Sequence, residues 1–273
     1  MEDDRALELY AAFRKNSHHP RIPTIVQIPD LSGGRTMPAI TVLTYHHVVS
    51  DILRELSNST NDFRRWINVL AAWAPIYERC DRDEQMCILV ESIRPFASLA
   101  LGAPQALRGR MMFAAATACG HANFKLFPTM PHLQWKSSGF LNMKIASRIG
   151  QPWTQWRMMA PMFGELGHGL IAEETDDYRN QNEHGHPRNI GMGLTSYVSV
   201  TDHAGGREIG LGSKEAISLE TVIAVAADQH AVVVKTYETF CGLAIEQFEA
   251  LMVAGGVAKP VYCQFATISP HTS

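Results

Sequence analysis

The sequence predicts a mainly α-helical fold, a helical bundle with a small β-hairpin inserted before a long C-terminal helix. Three observations support this prediction. Apolar residues recur at helical spacing through most of 44–162. A Gly-rich stretch at 202–206 separates two segments enriched in Val and Tyr, and residues 218–253 keep one apolar side throughout. A composition of 46% hydrophobic and 19% charged residues is typical of a globular protein.

The N-terminal part is expected to be a short helix over 2–14 followed by an extended arm over 17–37. A glycine pair and four prolines exclude a regular helix from the arm. These breakers are Gly33, Gly34, Pro20, Pro23, Pro29 and Pro38. We interpret the arm as a surface strap, and we divide the chain into this N-terminal part (1–43) and a helical domain (44–273).

The helical domain is predicted to hold several helices in sequence. Residues 44–56 form one, and 59–78 form the next, with the polar cluster at 58–61 supplying an N-cap. Residues 83–101 form a third, ended by Gly102 and Pro104, and 105–127 form a fourth. The stretch 136–162 is less regular because Gly150 and Pro152 interrupt it, and 161–183 leads into a polar segment.

The C-terminal elements have the clearest signals. Residues 194–201 and 207–211 are predicted as the strands of the hairpin. Ser218 is expected to cap a helix that runs to about 253, where Gly255 and Gly256 end it. Such a helix would be about 50 Å long at 1.5 Å per residue. A helix of that length often extends beyond its own domain, which favours a dimer contact.

Charge, cysteine usage and hydropathy predict a cytoplasmic protein that does not enter a membrane. The net charge of −3 gives no global basic field, and the acidic, amphipathic start differs from a signal peptide. The apolar stretches, such as 111–120, fall short of the ~20 residues that a span requires. The five cysteines form no C-x-x-C pair, so we interpret them as buried thiols of a reducing compartment.

Several other polar or aromatic residues are expected to be structural. His121 lies in a helix of small residues and is predicted to be buried and hydrogen-bonded. Trp135, Trp153 and Trp156 are predicted to pack in the core, although they could also stack on bases.

The segment YRNQNEHGHPR, residues 178–188, concentrates the polar chemistry of the chain. One interpretation is a metal site built on His184 and His186, with His168, Asp176 or Asp177 as further ligands. No HExxH motif or third ligand at a telling spacing supports it. A second interpretation is a solvated helix face, since Asp176, Arg179 and Glu183 lie at i, i+3 and i, i+4 spacings.

A third interpretation is phosphate chemistry. An arginine can clamp a phosphodiester and neutralise charge as it develops, and a histidine that titrates near neutrality can move a proton. Asn180 and His184 lie four residues apart and share a helix face, with Arg179 about 100° around the helix. These groups suffice for cleavage of RNA without a metal, because RNA carries its own 2′-hydroxyl nucleophile.

The arrangement Arg179-Asn180-x-x-x-His184, followed by Gly185, resembles the Arg-polar-x-x-x-His signature of the HEPN superfamily. HEPN domains are all-helical and occur in toxin, phage-defence and RNA-processing nucleases. The resemblance implies that Arg179, Asn180 and His184 are catalytic, and His186 also lies within the spacing that the family tolerates. The motif itself spans about seven residues, and the helical pattern that resembles the family spans residues 60–254.

The resemblance implies a metal-independent endoribonuclease that needs no cofactor and acts as a toxin or phage-defence effector. It also implies three partners: an RNA substrate, a second copy of the chain, and an antitoxin or regulatory protein. HEPN nucleases pair two protomers so that both motifs line one cleft. The acidic run at 173–177 is unfavourable for a phosphate site unless its side chains point elsewhere. Two alternatives remain: a helical module that binds RNA, nucleotide or protein without turnover, and a metal-dependent hydrolase that uses His184 and His186.

Overall fold

A computed structural model describes residues 3–37, 39–135, 139–203 and 206–257. The helices in chain order are α1 (Asp3–Ser17), α2 (Ile40–Tyr77), α3 (Arg82–Ile88), α4 (Arg94–Leu126), α5 (Met143–Gly150), α6 (Thr154–Met159), α7 (Leu170–Thr175), α8 (Tyr178–His184) and α9 (Leu219–Ala254). The strands β1 (Leu194–His203) and β2 (Gly206–Glu215) lie between α8 and α9. The predicted class, mainly α with one hairpin before a long last helix, is confirmed.

Three long helices, α2, α4 and α9, pack against one another and enclose the core. Each presents a stripe of apolar side chains at helical spacing, and burial of such stripes is the main stabilising term for helices in proteins. Phe63 of α2, Met111 of α4 and Phe240 of α9 are fully buried. The shorter helices α5 to α8 cover the remaining sides of this three-helix centre.

Helix α2 is one continuous helix, so the prediction of separate helices at 44–56 and 59–78 is wrong. The polar cluster at 58–61 caps no helix, and the side chain of Asn61 instead binds the backbone of the arm. The Asn61 Oδ1 accepts a hydrogen bond from the Val26 backbone N–H at 3.1 Å, and Asn61 Nδ2 donates to the Val26 carbonyl at 3.0 Å. Ser57 and Thr60 are buried in the same turns.

The predicted break at Gly102 and Pro104 is also wrong, because α4 runs through both residues and buries Pro104. The irregularity lies earlier, in a π-helical turn over Leu89–Ile93 that joins α3 to α4. There the Arg94 backbone N–H donates to the Leu89 carbonyl, five residues back. Pro95, which has no N–H to donate, follows directly, and π turns of this kind interrupt α-helices at single points.

The arm between α1 and α2 lies across the three-helix centre and is fixed by side chains. Asn61 pairs with both backbone groups of Val26, and Asn68 pairs in the same way with Ile22, at 2.8 and 2.9 Å. Arg35 forms a bidentate ion pair with Glu249 of α9, with its closer contact at 2.6 Å. The arm is therefore a surface strap held by amide and guanidinium groups instead of a sheet.

The C-terminal elements form where they are predicted, although β2 continues four residues beyond the predicted end at 211. The two strands pair antiparallel over their full length, from Leu194 opposite Glu215 to His203 opposite Gly206. The Ser218 hydroxyl accepts a hydrogen bond from the Thr221 N–H at 3.0 Å and caps α9, which ends at Ala254 with Gly255 as its C-cap. The helix has 36 residues and buries one side along its length.

One helical stretch, Arg82–Leu126, is long and apolar enough to cross a membrane by length and composition alone. Its α4 part packs against both α2 and α9 in the centre of the bundle. That packing is consistent with a soluble protein, in which a core helix passes the same test.

Candidate functional site

The polar segment of the sequence forms the short helix α8, and two residues with left-handed backbone set its direction. Asp176 and Asp177 have φ values of 59° and 48°. Non-glycine residues rarely adopt this geometry because the Cβ atom approaches the following carbonyl. Helix α8 then begins at Tyr178 and ends at His184, with Gly185 as its C-cap.

Contacts on both sides hold α8 in place. The Tyr178 side chain is buried, and its hydroxyl forms a 2.8 Å hydrogen bond with the hydroxyl of Ser98 on α4. The Asp176 carboxylate pairs with Lys214 of β2 at 2.5 Å. Arg188, after the helix, donates to the Glu215 carbonyl at 2.9 and 3.1 Å. These residues therefore position the segment and are not available to a substrate.

Arg179 and His184 meet at one carboxylate. The Arg179 Nη2 lies 3.0 Å from Glu183 Oε1, and the His184 Nε2 lies 3.8 Å from the other oxygen, Oε2. The side chain of Arg179 is 36% exposed, and that of His184 is 72% exposed. The guanidinium and the imidazole thus both lie within reach of a single anionic group at the surface.

Gln105 of α4 links this pair to a second pair of basic groups. Its side-chain oxygen accepts a hydrogen bond from Arg179 Nη1, and its Nε2 donates to the Gly167 carbonyl at 3.2 Å. Arg108 lies one helical turn further along α4, and its Nη1 lies 2.7 Å from His168 Nε2. We call the set of Gln105, Arg108, His168, Arg179, Glu183 and His184 the motif cluster.

The other two predicted catalytic residues do not join the motif cluster. Asn180 and His186 are exposed, and neither side chain makes a hydrogen bond within the described part of the chain. The spacing of Asn180 and His184 on α8 places them on one side of the helix, as predicted. The structure thus joins Arg179 to His184 through Glu183, a residue that the solvated-helix interpretation also uses.

The residues 3–37, 39–135, 139–203 and 206–257 contain no group of three His, Cys, Asp or Glu side chains that could hold a metal ion. Two of the additional ligands considered for a site with His184 and His186 have other contacts. His168 lies against Arg108, and Asp176 pairs with Lys214. The metal-dependent alternative therefore lacks a third ligand in the described residues.

A surface cavity of about 500 Å³ lies where the segment after α8 meets α3 and α4. Its lining includes Arg82, Arg94, Gln85 and Asn189, and we call it the arginine-lined cavity. Neither the Arg82 nor the Arg94 side chain forms a hydrogen bond or ion pair with another described residue. Arg94, Gln105 and Arg108 lie at i, i+11 and i+14, so they follow one side of α4 over about 20 Å.

No protein-family model, curated protein or solved structure matches this chain. The HEPN resemblance therefore continues to depend on the motif and on the all-helical pattern.

Sequence reasoning missed the residues that complete the motif cluster and the arginine-lined cavity. Gln105 and Arg108 lie more than 70 residues before Arg179 in the chain, and Arg82 and Arg94 are ordinary exposed helix residues by pattern. No local spacing signals their approach, because only the packing of α8 and its flanking segments on α4 brings them together.

Proposed function

We propose that this protein is a metal-independent endoribonuclease of HEPN type that acts as a homodimer. The observation that carries the proposal is the shared carboxylate of Glu183. An anion already lies between a guanidinium and an imidazole that belong to an Arg-Asn-x-x-x-His motif. A phosphodiester is an anion with a comparable set of acceptor oxygens, so it can take the same place once Glu183 turns away.

The proposed reaction uses the 2′-hydroxyl of the RNA as its nucleophile. His184 removes the 2′-hydroxyl proton, and the 2′-oxygen forms a bond to phosphorus. The bond between phosphorus and the 5′-oxygen breaks, and a protonated imidazole of either protomer supplies the proton that this oxygen needs. The products are a 2′,3′-cyclic phosphate and a 5′-hydroxyl. Arg179 stabilises the charge that develops on the phosphoryl oxygens, Asn180 orients the phosphate, and His186 assists.

Two features of the described residues support binding of a phosphate chain at this surface. Arg108 and His168 lie beside Gln105, so the motif cluster holds two basic pairs in place of one. Arg94 of α4 and Arg82 of α3 extend this basic surface to the arginine-lined cavity. The neutralisation of several phosphates by Arg side chains is the general source of affinity for nucleic acids.

The exposed face of the hairpin is our proposed contact for the second copy. Val198 pairs with Leu211, and Val200 pairs with Ile209, so the four apolar side chains lie on one face. They are 54–87% exposed. A two-stranded sheet is marginal alone in water and needs a covered face. The hairpin also contacts the motif segment through Lys214 and Glu215, so a copy docked here lies near the motif cluster.

The proposal is tested by incubating the full-length protein with a panel of single-stranded and structured RNAs in excess EDTA. We expect cleavage products that end in a 2′,3′-cyclic phosphate, with no cleavage of a substrate that carries 2′-deoxyribose at the cleavage position. Arg179→Ala and His184→Ala should each lower the rate by about 10²–10⁴-fold, the usual contribution of such groups. Arg65→Ala is the matched control, because Arg65 is an exposed arginine in another helical ion pair.

Two results would overturn the nuclease. One is the absence of cleavage across the panel, and the other is cleavage by the His184→Ala variant at the rate of the Arg65→Ala control. Dimerisation is measured separately by light scattering, where a Val198→Ser, Leu211→Ser double variant should be monomeric. A toxin or phage-defence role, with an antitoxin or regulatory partner, belongs to the same proposal.

A second candidate function is binding of RNA or nucleotide without turnover, and the arginine-lined cavity favours it. Arg82 and Arg94 present two unpaired guanidinium groups beside Asn189, whereas Arg179 is already paired with Glu183. If this candidate is correct, Arg82→Ala and Arg94→Ala weaken RNA binding in a filter assay more than Arg179→Ala does, and no product forms.

A further inference from the structure

A larger cavity lies away from the motif cluster, between the N-terminal end of α2, the C-terminal half of α4 and the end of α9. Its volume is about 680 Å³, and Tyr45, Gly120 and Leu251 form part of its wall. Binding sites for small molecules usually enclose about 300–1,000 Å³ and combine an apolar wall with a few polar groups. The size and the lining of this cavity fall within that description.

The wall of this cavity contains two buried polar atoms that have no hydrogen-bond partner. They are the Thr117 hydroxyl and the Trp135 indole N–H. Buried hydroxyl and indole groups in proteins almost always have a partner, because leaving one without a partner costs about 1–3 kcal/mol. Both atoms belong to residues that line this cavity, so its wall contains polar as well as apolar groups.

The rim of the cavity is basic. His121 and Lys125 lie four residues apart on α4, and both line the cavity from exposed positions. The prediction that His121 is buried is therefore wrong, because α4 turns this side toward the opening. Neither side chain forms a hydrogen bond or an ion pair with another described residue. The N-terminal end of α2 lies at the same rim, and Ala39 gives it no side-chain cap.

Apolar side chains complete the rim. Ile40 and Phe124 both line the cavity, yet they are 74% and 70% exposed. Exposed apolar groups around an opening gain free energy when an apolar molecule covers them. The opening thus combines apolar contacts with a lysine ammonium, a histidine imidazole and a helix N-terminus, whose partial positive charge attracts anions.

We propose that this cavity binds a small amphipathic acid, an apolar molecule that carries one carboxylate. The apolar body lies against Tyr45, Leu251 and Phe124, and the carboxylate lies at the rim beside Lys125 and His121. The proposal is independent of the nuclease, since the cavity shares no residue with the motif cluster.

The experiment uses three ten-carbon probes below their aggregation concentrations: decanoate, decanol and decylamine. Isothermal titration of the full-length protein should give one saturable site for decanoate, weaker binding of decanol and the weakest binding of decylamine. Lys125→Gln should weaken decanoate roughly threefold or more, as expected for loss of a partly exposed charge pair, and leave decanol unchanged. Lys144→Gln is the matched control, because Lys144 is an exposed lysine on α5.

A blocking variant keeps the test decisive if the head-group effect is small. Thr44 is an exposed residue that lines the cavity, so Thr44→Trp fills the opening from outside the core. This variant should abolish binding of both decanoate and decanol. Binding that survives Thr44→Trp lies elsewhere and overturns the site. Equal binding of all three probes, or decanoate binding that Lys125→Gln does not weaken, overturns the assignment of an acid.

Discussion

The motif cluster and the cavity between α2, α4 and α9 use polar groups in opposite ways. In the motif cluster Arg179 has two partners, Gln105 and Glu183, and the His184 side chain is mainly in solvent. In the cavity wall the polar atoms of Thr117 and Trp135 are buried and have no partner. The motif cluster contains residue types that are common in catalysis, but its guanidinium already has hydrogen-bond partners. The cavity wall contains ordinary polar residues, but two of their polar atoms have no partner.

The difference shows that the residue types present at a site do not by themselves determine its affinity for a ligand. A guanidinium beside a carboxylate must exchange one anion for another, so its net gain from a phosphate is small. A buried donor without a partner gains the full free energy of its first hydrogen bond. Ligand affinity should therefore depend more on the geometry around a polar group than on the number of charges in a motif.

The largest effect on stability is expected from Asn123, a fully buried residue of α4. Its Nδ2 donates to the carbonyls of Leu133 and Ile149 at 2.8 Å, and its Oδ1 accepts from the Trp153 indole at 2.9 Å. Asn123→Leu leaves these three groups without partners, so the free energy of unfolding should fall by about 4 kcal/mol. Urea denaturation measures it.

The exposed amide of Asn180 provides the control for that measurement. Asn180→Leu should change the free energy of unfolding by less than about 0.5 kcal/mol, as is usual for surface positions. A loss below 1 kcal/mol for Asn123→Leu would show that buried and exposed polar groups contribute equally, against the comparison above.

A pH-dependent effect is expected from His230, which is buried in α9 with its ring 5.6 Å from that of Phe63. Burial lowers its pKa to about 4, against a hydrogen bond to the Thr60 backbone that raises it. The unfolded chain takes up a proton near pH 6.5 and the folded chain does not. Stability is therefore lost as the pH falls from about 6.5 to about 4, by up to about 3 kcal/mol.

This effect is isolated by comparing the wild type with His230→Leu across the pH range. The difference between their free energies of unfolding should be constant above pH 7 and should shift in favour of the variant below pH 6. A difference that stays constant down to pH 4 would mean that His230 accepts its proton in the folded protein.

A smaller effect is expected from the amide that fixes the arm. Asn61→Ala removes two hydrogen bonds to Val26, so it should lower stability by about 1–2 kcal/mol. It should also speed tryptic cleavage at Arg21. Asn58→Ala is the control, since Asn58 is exposed on the same helix. Equal cleavage rates in the two variants would contradict the role assigned to Asn61.

The smallest stability effect is expected from the motif cluster itself. Glu183→Gln breaks exposed pairs, so it should change the free energy of unfolding by less than about 0.5 kcal/mol. It should tighten RNA binding about two- to fivefold in the filter assay, because a competing anion is gone. Asp62→Asn removes the acid of another exposed arginine pair and should leave RNA binding unchanged. Weaker binding by Glu183→Gln would show that Glu183 supports the substrate.

The sequence was most informative where one residue type has one structural use. Ser218 before an apolar helical pattern and Gly255 after it predicted the ends of α9, and the Gly-rich stretch at 202–206 predicted the hairpin. Prediction failed where a residue has two uses. The Asn61 amide can cap a helix or bind an extended segment, and Pro104 can break a helix or lie buried within one. Only tertiary packing decides between them.

The candidate site divides in the same way. The local spacing of Arg179, Glu183 and His184 was visible in the sequence because all three lie within about one and a half turns of helix. Gln105, which holds Arg179, and the cavity wall that joins Thr44, Thr117 and Leu251 come from distant parts of the chain. No spacing rule connects residues that only packing brings together.

The left-handed backbone at Asp176 and Asp177 limits which substitutions this part of the chain tolerates. Glycine, asparagine and aspartate adopt that geometry at low cost, whereas valine, isoleucine and threonine do not. A complete substitution scan scored by folding stability should therefore find only a few acceptable residues at these two surface positions, against nearly free variation at the exposed Asn182. The substitutions that these two positions tolerate therefore depend on the backbone conformation before α8, although neither side chain lies in the protein interior.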